Sequence, residues 1–275
     1  MLDPVPEDGA CPDCEGRGWV ILADTGAGTA RPCDCRTRRL AGRLLAGAGI
    51  PERYAACTLE NFRTDVSARA TGALARARSR AKRYLDELLR PDGRFHELGL
   101  LLTGPPGTGK THLAVAVLAG AVRRFGARGR FVDFTSLIHQ IQATFDPGSA
   151  DSKSRILDPI VGADLLVLDE LGAQKPTAWV QNVLYLIINT RYTERRPTIF
   201  TSNYRVPTER PARPVAAAPP VDRAARAERE DFTLLEHRTS PQLVSRLYEM
   251  TEAIRLDDAE DYRRAVKTRE RHLVG

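Results

Sequence analysis

The sequence predicts an α/β fold in three layers, with a central parallel sheet between two layers of helices and a small cysteine-rich module in front. From residue 98 onward, short apolar runs alternate with helical patterns, which is typical of parallel βαβ units. A glycine-rich loop follows the first of these runs, at residues 104–111. Four of the five cysteines lie within the first 35 residues. These observations divide the chain into a module at 1–45, a linker with a basic helix at 46–97, and a nucleotide-binding domain at 98–275.

Composition excludes several classes of protein. With 275 residues, 42% of them hydrophobic and 28% charged, the chain is neither fibrous nor disordered. The longest nearly apolar stretch, residues 113–122, is too short to cross a bilayer, and the acidic start (Asp3, Glu7, Asp8) does not resemble a secretory signal. We therefore expect a cytoplasmic protein that does not bind membranes. Its net charge of +6 permits contact with nucleic acid without requiring it.

The cysteine module has the spacing of a metal site. Two close pairs, C-x2-C and C-x-C, suit tetrahedral Zn²⁺ held by four thiolates, and residues 19–22 would form a strand that packs over the site. So small a module cannot bury enough apolar surface by itself, so metal binding would supply folding free energy. A redox pair and unliganded thiols are the alternatives. The predicted ligands are Cys11, Cys14, Cys33 and Cys35, whereas Cys57 is expected to be an ordinary buried residue.

The linker contains a predicted basic helix at residues 66–90. A basic helix can follow phosphates through sequence-independent electrostatics, or it can simply be a solvated face. The chain has few aromatic residues that could stack on bases, although Tyr54 and Phe62 are candidates to cover the adenine of a bound nucleotide. The cationic residues of this helix are Arg69, Arg76, Arg78, Arg80, Lys82, Arg83 and Arg90.

The glycine-rich loop fills the template G-x-x-x-x-G-K-[ST] and predicts a site for ATP and Mg²⁺. Its glycines let successive N–H groups converge on phosphate oxygens, and the helix that follows directs its positive end there. Lys110 would reach the β- and γ-phosphates, and the hydroxyl of Thr111 would ligate Mg²⁺. The predicted nucleotide-binding residues are Gly104, Pro105, Pro106, Gly107, Thr108, Gly109, Lys110, Thr111 and His112.

The strands and helices of this domain follow in regular order. Strands are predicted at residues 98–103, 130–134, 164–168, 197–201 and 252–256. Helices are predicted at 112–124, 136–145, 152–161, 177–195 and 242–250, with a polar terminal helix after them. Residues 207–227 are rich in proline and alanine and predict a surface insertion.

Two acidic residues end the predicted strand at 164–168. Ligands of open α/β sheets bind at the carboxyl ends of the strands, so Asp169 would hold Mg²⁺ there. A second carboxylate beside it, Glu170, can polarise a water for attack on the γ-phosphate, which favours hydrolysis over transfer to another acceptor. The alternative is that Glu170 merely caps the next turn.

The stretches GPPGTGKTHLA (from Gly104), LLVLDELG and Thr201-Ser-Asn203 resemble AAA+ ATPases of the DnaC/IstB type, and so does the run that starts at Ser245. The resemblance covers roughly residues 50–270 and implies a P-loop three-layer sandwich. It also implies that Asn203 orients the attacking water and that Arg246 enters a neighbouring subunit's nucleotide site. An ordinary turn asparagine and a surface salt bridge are the alternatives. Only 19 residues follow the last predicted strand, so we expect no helical lid.

The resemblance implies a helicase loader as the leading function. Such a protein would form a homo-oligomer in the ATP state, bind single-stranded DNA and dock its zinc module onto the replicative DNA helicase. An IstB-like transposition helper, which coats target DNA for a transposase, is the alternative. A nucleotide-dependent adaptor with negligible turnover is a third hypothesis, and a small-molecule kinase is disfavoured by Glu170 and by the lack of an obvious acceptor-binding insert.

Overall fold

The computed structural model describes residues 11–21, 30–65, 71–144, 153–174, 177–205, 235–256 and Tyr262. The predicted insertion at 207–227 lies outside the described residues. So does the chain after residue 256 apart from Tyr262, where we expected a polar helix and no helical lid.

A parallel sheet of five strands forms the centre of the molecule. The strands are β3 (Gly99–Thr103), β4 (Gly129–Asp133), β5 (Leu165–Asp169), β6 (Thr198–Ser202) and β7 (Thr251–Arg255). Their order across the sheet is β4-β5-β6-β3-β7, and all four pairings are parallel. Each strand lies within one residue of its predicted position, because apolar runs bounded by turn residues are a strong local signal.

Helices cover both faces of this sheet, which confirms the predicted three layers. The helices are α1 (Asp34–Gly47), α2 (Thr71–Glu87), α3 (Lys110–Phe125), α4 (Phe134–Ala143), α5 (Lys153–Val161), α6 (Ala178–Thr193) and α7 (Pro241–Met250). Successive residues of a strand point to opposite faces. Leu100 and Leu102 therefore join one core with α2 and α3, whereas Leu101 joins a second core with α4 to α7. Among the helices that the structure describes, none is both long enough and apolar enough for a bilayer span.

The amino-terminal part contains a helix that the sequence patterns did not predict. A short antiparallel hairpin, β1 (Trp19–Ile21) with β2 (Ala30–Pro32), leads directly into α1. Helix α1 extends past residue 45, where the predicted cysteine module ends. It packs against α3 and the edge strand β4. The chain after it follows that edge, where the backbone nitrogen of Phe131 donates to the carbonyl oxygen of Ala48 at 2.7 Å. The exposed edge of the sheet is thus partly covered.

Candidate functional site

The glycine-rich loop connects β3 to the amino terminus of α3, as predicted. Gly109 has a φ of 93°, and a Cβ at this position would lie 2.6 Å from a ring carbon of Phe62. Only glycine satisfies both the backbone angle and this close approach. The buried Lys110 ammonium donates to the carbonyl oxygens of Gly104 (2.8 Å) and Pro105 (2.7 Å), which keeps it within the curve of the loop.

The predicted metal ligands meet where β5 ends beside the loop. The hydroxyl of Thr111 lies 3.0 and 3.2 Å from the two carboxylate oxygens of Asp169. Burial raises the pKa of Asp169, and the hydrogen bonds that it accepts from Thr201 and Thr111 oppose this effect. A hydroxyl and a carboxylate are oxygen donors of the kind that Mg²⁺ prefers, so these two residues fit the ion.

Thr201 is a site residue to which sequence reasoning gave no role. Its hydroxyl donates to Oδ1 of Asp169 at 2.5 Å and accepts a hydrogen bond from the backbone nitrogen of Glu170 at 3.0 Å. A threonine at the carboxyl end of a predicted strand was the available signal. Its partners lie on β5, however, and the pairing of β5 with β6 was not known from sequence.

Glu170 and Asn203 line the same cavity, which has a volume of about 460 Å³. Glu170 has a φ of 60°, in the left-handed region that non-glycine residues rarely adopt, and its exposed side chain follows directly after β5. Asn203 follows β6 and is exposed. The carboxylate and the amide therefore face the cavity beside the loop.

The linker supplies the opposite wall of this cavity. Tyr54 and Phe62 both line it, as the sequence suggested for residues that cover a base. His112 lies edge-on to Phe62, with ring centroids 5.3 Å apart, and its Nε2 donates to the carbonyl oxygen of Thr58 at 2.9 Å. Tyr262 closes another side, where its backbone nitrogen donates to the carbonyl oxygen of Gly107 at 3.0 Å.

The loop residues divide into two groups around the cavity. Gly104 and Pro105 lie behind it and act through the carbonyl oxygens that hold Lys110. The other seven predicted nucleotide-binding residues line the cavity itself: Pro106, Gly107, Thr108, Gly109, Lys110, Thr111 and His112.

Known proteins are similar to this chain in sequence and in fold. A family model described as "IstB-like ATP binding protein" matches residues 76–208. The replicative helicase loader DnaC of Escherichia coli (strain K12) is 28% identical over 161 residues, which are 58% of this chain and 61% of DnaC. The crystal structure of the DnaC helicase loader is similar with a TM-score of 0.55 at 27% identity, covering 74% of this chain and 99% of that chain. The chain is therefore similar to AAA+ proteins of the DnaC/IstB type.

The chain is also similar in fold to a crystal structure of DnaI, with a TM-score of 0.52 at 22% identity, covering 75% of this chain and 94% of that chain. The sequence match to the DnaC loaders spans less than two thirds of their length. It therefore supports the fold and the nucleotide site more directly than the activity of the whole loader.

Arg246 lies on α7 and is not among the residues that line the cavity beside the glycine-rich loop. Its guanidinium carbon lies 4.8 Å from the ring centroid of Tyr185 and 5.7 Å from that of Tyr192. The resemblance assigns Arg246 to a neighbouring subunit's site, and that role stays a prediction for this chain.

The four amino-terminal cysteines form one buried cluster, with their sulfur atoms within 4.8 Å of one another. Sγ of Cys11 lies 3.7 Å from that of Cys33, and Sγ of Cys14 lies 3.4 Å from that of Cys35. Val20 of β1 packs against the cluster. Four thiols gathered in this way match the ligand set of a tetrahedral metal site, so a metal such as Zn²⁺ fits these residues.

The thiols of this cluster hold their protons unequally. Burial raises the pKa of Cys14, but hydrogen bonds from the backbone of Gly18 and from the thiols of Cys35 and Cys33 lower it to about 7. The bond to Cys14, together with burial, raises the pKa of Cys35 to about 12. One thiolate is thus stabilised by neighbours that stay protonated, which is the arrangement that a metal cation would replace.

Proposed function

We propose that this protein binds ATP with Mg²⁺ and hydrolyses it to ADP and phosphate. The observation that carries the proposal is the contact of Thr111 with Asp169 beside the loop that holds Lys110. The match to an ATP-binding family supports the same ligand. Thr111 and Asp169 would hold Mg²⁺, which supplies neutralisation of the phosphate charge when bound.

Three further residues complete the proposed chemistry. The carboxylate of Glu170 accepts a proton from the attacking water, and the amide of Asn203 orients that water. Their positions along one cavity support these roles. Arg246 acts on the nucleotide of a neighbouring copy, where a guanidinium stabilises charge on the transferring phosphoryl group.

A pair of variants tests hydrolysis. Glu170→Gln should bind ATP with Mg²⁺ at near wild-type affinity. It should release phosphate more slowly by a factor of about 100 or more, because general-base groups contribute about 10²–10⁴-fold to the rate. Lys110→Ala should no longer bind ATP. Glu87→Gln makes the same chemical change on the exposed surface of α2 and should leave both measurements unchanged. Wild-type turnover in Glu170→Gln, with and without DNA, would contradict the assignment, and negligible turnover in the wild type would favour the adaptor.

We propose that the ATPase loads the replicative DNA helicase onto single-stranded DNA in DNA replication. The likeness to the DnaC helicase loader supports this function. Residues 1–45, with Zn²⁺ held by the four cysteines, would contact the helicase. The test is co-purification with the replicative helicase of the same organism, with ATP and with ADP. Complex formation in neither nucleotide would overturn the loader assignment while leaving the nucleotide site intact.

A second function, that of a transposition helper, is supported by the match to the IstB-like family. In that case the assembly would coat target DNA for a transposase. The cysteine cluster favours the loader, because an amino-terminal zinc module resembles that of several helicase loaders. Co-purification with a transposase encoded beside this protein, and not with the helicase, would support the transposition helper.

The proposed loader assembles as a homo-oligomer with ATP and binds single-stranded DNA along the assembly. The basic helix α2 is only partly available for this purpose, because several of its cations pair with acids of the same chain. Arg80 and Arg83 contact Glu252 at 2.6 and 3.2 Å, and Lys82 contacts Asp86 at 2.9 Å. Sedimentation with ATP and with ADP, with and without a labelled single strand, tests both expectations.

A further inference from the structure

The guanidinium of Arg246 is held by two tyrosines of the neighbouring helix. Tyr185 and Tyr192 are seven residues apart on α6, so they lie two turns apart on the same side of that helix. Both rings lie within 6 Å of the guanidinium carbon, and Nη2 of Arg246 donates to the hydroxyl of Tyr185 at 3.2 Å. These distances are those of cation–π contacts.

No acidic side chain that the structure describes neutralises the guanidinium of Arg246. Among the described residues, no carboxylate pairs with it, and its buried Nη1 makes no hydrogen bond. The nearest acid along α7, Glu249, instead accepts a hydrogen bond from the hydroxyl of Tyr192 at 2.8 Å. Arg246 therefore keeps N–H groups that no described residue uses, and because Nη1 is buried here, the side chain has to turn outward to offer this nitrogen to an anion of another molecule.

This holding arrangement lies on a face that is open to another molecule. Tyr185 is 40% exposed and the adjacent Leu186 is 49% exposed. A surface that presents an arginine among exposed aromatic and apolar groups is complementary to a site that contains a triphosphate and the apolar rim around it. In a second copy of this chain, the cavity proposed to hold the triphosphate is lined in part by Tyr54, Phe62 and Leu74.

We propose that Tyr185 and Tyr192 are positioning residues that present Arg246 to the nucleotide site of a neighbouring copy. The proposal rests on the proposed function, in which Arg246 acts across a subunit interface. Aromatic faces fix the direction of the guanidinium and limit its freedom before the copies meet. An ion pair would have to break before Arg246 could reach a phosphate, whereas a cation–π contact holds the guanidinium without occupying the N–H groups of Nη1.

The test separates the copy that donates Arg246 from the copy that receives it. A donor carrying Glu170→Gln cannot turn over its own ATP but keeps Arg246, and a receiver carrying Arg246→Ala keeps an intact cavity. Each is expected to be inactive alone, and their mixture should release phosphate. Tyr185→Leu or Tyr192→Leu is then added to the donor only or to the receiver only.

We expect the leucine substitutions to reduce the activity of the mixture at least tenfold on the donor and less than twofold on the receiver. A merely structural role would reduce it equally on either side. Phenylalanine at the same positions keeps the aromatic face, so it should retain most of the activity. Tyr248→Ala removes an exposed tyrosine of α7 that has no recorded contact with Arg246, and on the donor it should change nothing.

Each outcome decides a separate statement. If the plain mixture of donor and receiver stays inactive, Arg246 does not act on a neighbour, and the positioning proposal fails with it. If the mixture is active but leucine has equal effects on both sides, the positioning proposal alone is wrong. Melting temperature and ATP affinity report whether each variant folds. If Tyr192→Leu does not fold, Tyr185→Leu and Tyr185→Phe decide the question at the more exposed position.

Discussion

The hydroxyl of Thr201 lies 2.5 Å from Oδ1 of Asp169 and also accepts the backbone N–H of Glu170, so one side chain on β6 holds both acids that end β5. Asp169 is 5% exposed and Thr201 is 1% exposed. The two proposed functions of the strand end, metal binding and water activation, are thereby coupled through a residue that performs neither.

Thr201→Val should lower ATP hydrolysis about 10- to 100-fold, which is the usual cost of removing a hydrogen-bond partner behind a metal ligand. Valine has nearly the same shape as threonine and leaves an oxygen of Asp169 and the N–H of Glu170 without this partner. Thr201→Ser keeps the hydroxyl and should retain most of the activity. Steady-state phosphate release at saturating ATP is the measurement, and equal rates for the valine and serine variants would contradict the prediction.

Asp169→Asn should stabilise the metal-free protein at neutral pH. Burial raises the pKa of Asp169 in the folded state above its unfolded value near 3.8. The folded state therefore binds the proton more tightly, and this carboxyl makes a contribution to stability that falls as pH rises from about the unfolded pKa through the folded one. Asparagine carries no charge, so its advantage should grow across that interval and remain at pH 7.

Urea unfolding of both proteins between pH 4 and 7, without nucleotide, measures this difference. The wild type should regain its relative stability when ATP and Mg²⁺ are added, because ligand binding stabilises the form that binds it. A wild type that is more stable than Asp169→Asn at pH 7 without ligand would contradict the prediction.

The predicted elements with strong local patterns were all found, and the omissions have identifiable causes. The strands were predictable because they are apolar and bounded by turns. Helix α1 was missed because its buried face consists of small residues, Cys35 and Ala41. Its arginines obscure the apolar periodicity that is typical of an amphipathic helix, and neither its capping residues nor its composition strongly predicts a helix.

The candidate site shows the same division between local and long-range information. The loop and the acids after β5 could be read from sequence, because their residue types occur at fixed spacings. Thr201 could not, since its role depends on which strands are neighbours. The link from His112 to Thr58 joins residues 54 positions apart, and no pattern in either segment predicts it.

Removing metal should unfold the amino-terminal part of the chain. The four cysteines connect the turn at residues 11–14 with the start of α1, and a small hairpin is otherwise marginal in stability. Treatment with a strong chelator should lower the far-ultraviolet helical signal and promote aggregation, because α1 and the residues after it cover the β4 edge.

Elemental analysis should find one Zn²⁺ per chain, and acid should weaken its binding because protons compete for the thiolates. Cys14→Ser should abolish stoichiometric binding. Cys57→Ser changes a buried cysteine outside the cluster and should retain the metal. Equal metal content in the two variants would contradict the assignment of the ligands.

Arg191→Lys should destabilise the fold by about 2–5 kcal/mol, because it leaves buried carbonyl oxygens without donors. Arg191 is fully buried near the end of α6 and makes hydrogen bonds to the last residues of α5, to the residues just before β5 and β6, and to the first residue of β6. The acceptors are the hydroxyl of Thr198 at 2.8 Å and the carbonyl oxygens of Ile160 (3.2 Å), Val161 (2.9 Å), Ala163 (2.8 Å) and Pro197 (2.6 Å). The ammonium of lysine has three donors at one atom and cannot span these positions.

The matched control is Arg195→Lys, four residues further on, where the side chain is 78% exposed and lies 3.6 Å from Glu97. Exposed ion pairs contribute little, so this change should stay within about 0.5 kcal/mol. Urea unfolding gives the free energy of unfolding of both variants. ATP affinity measured without urea should be unchanged, since Arg191 is not among the residues that line the cavity. If Arg191→Lys were as stable as Arg195→Lys, the prediction would be wrong, because the buried hydrogen bonds of Arg191 would then contribute nothing to the stability of the fold.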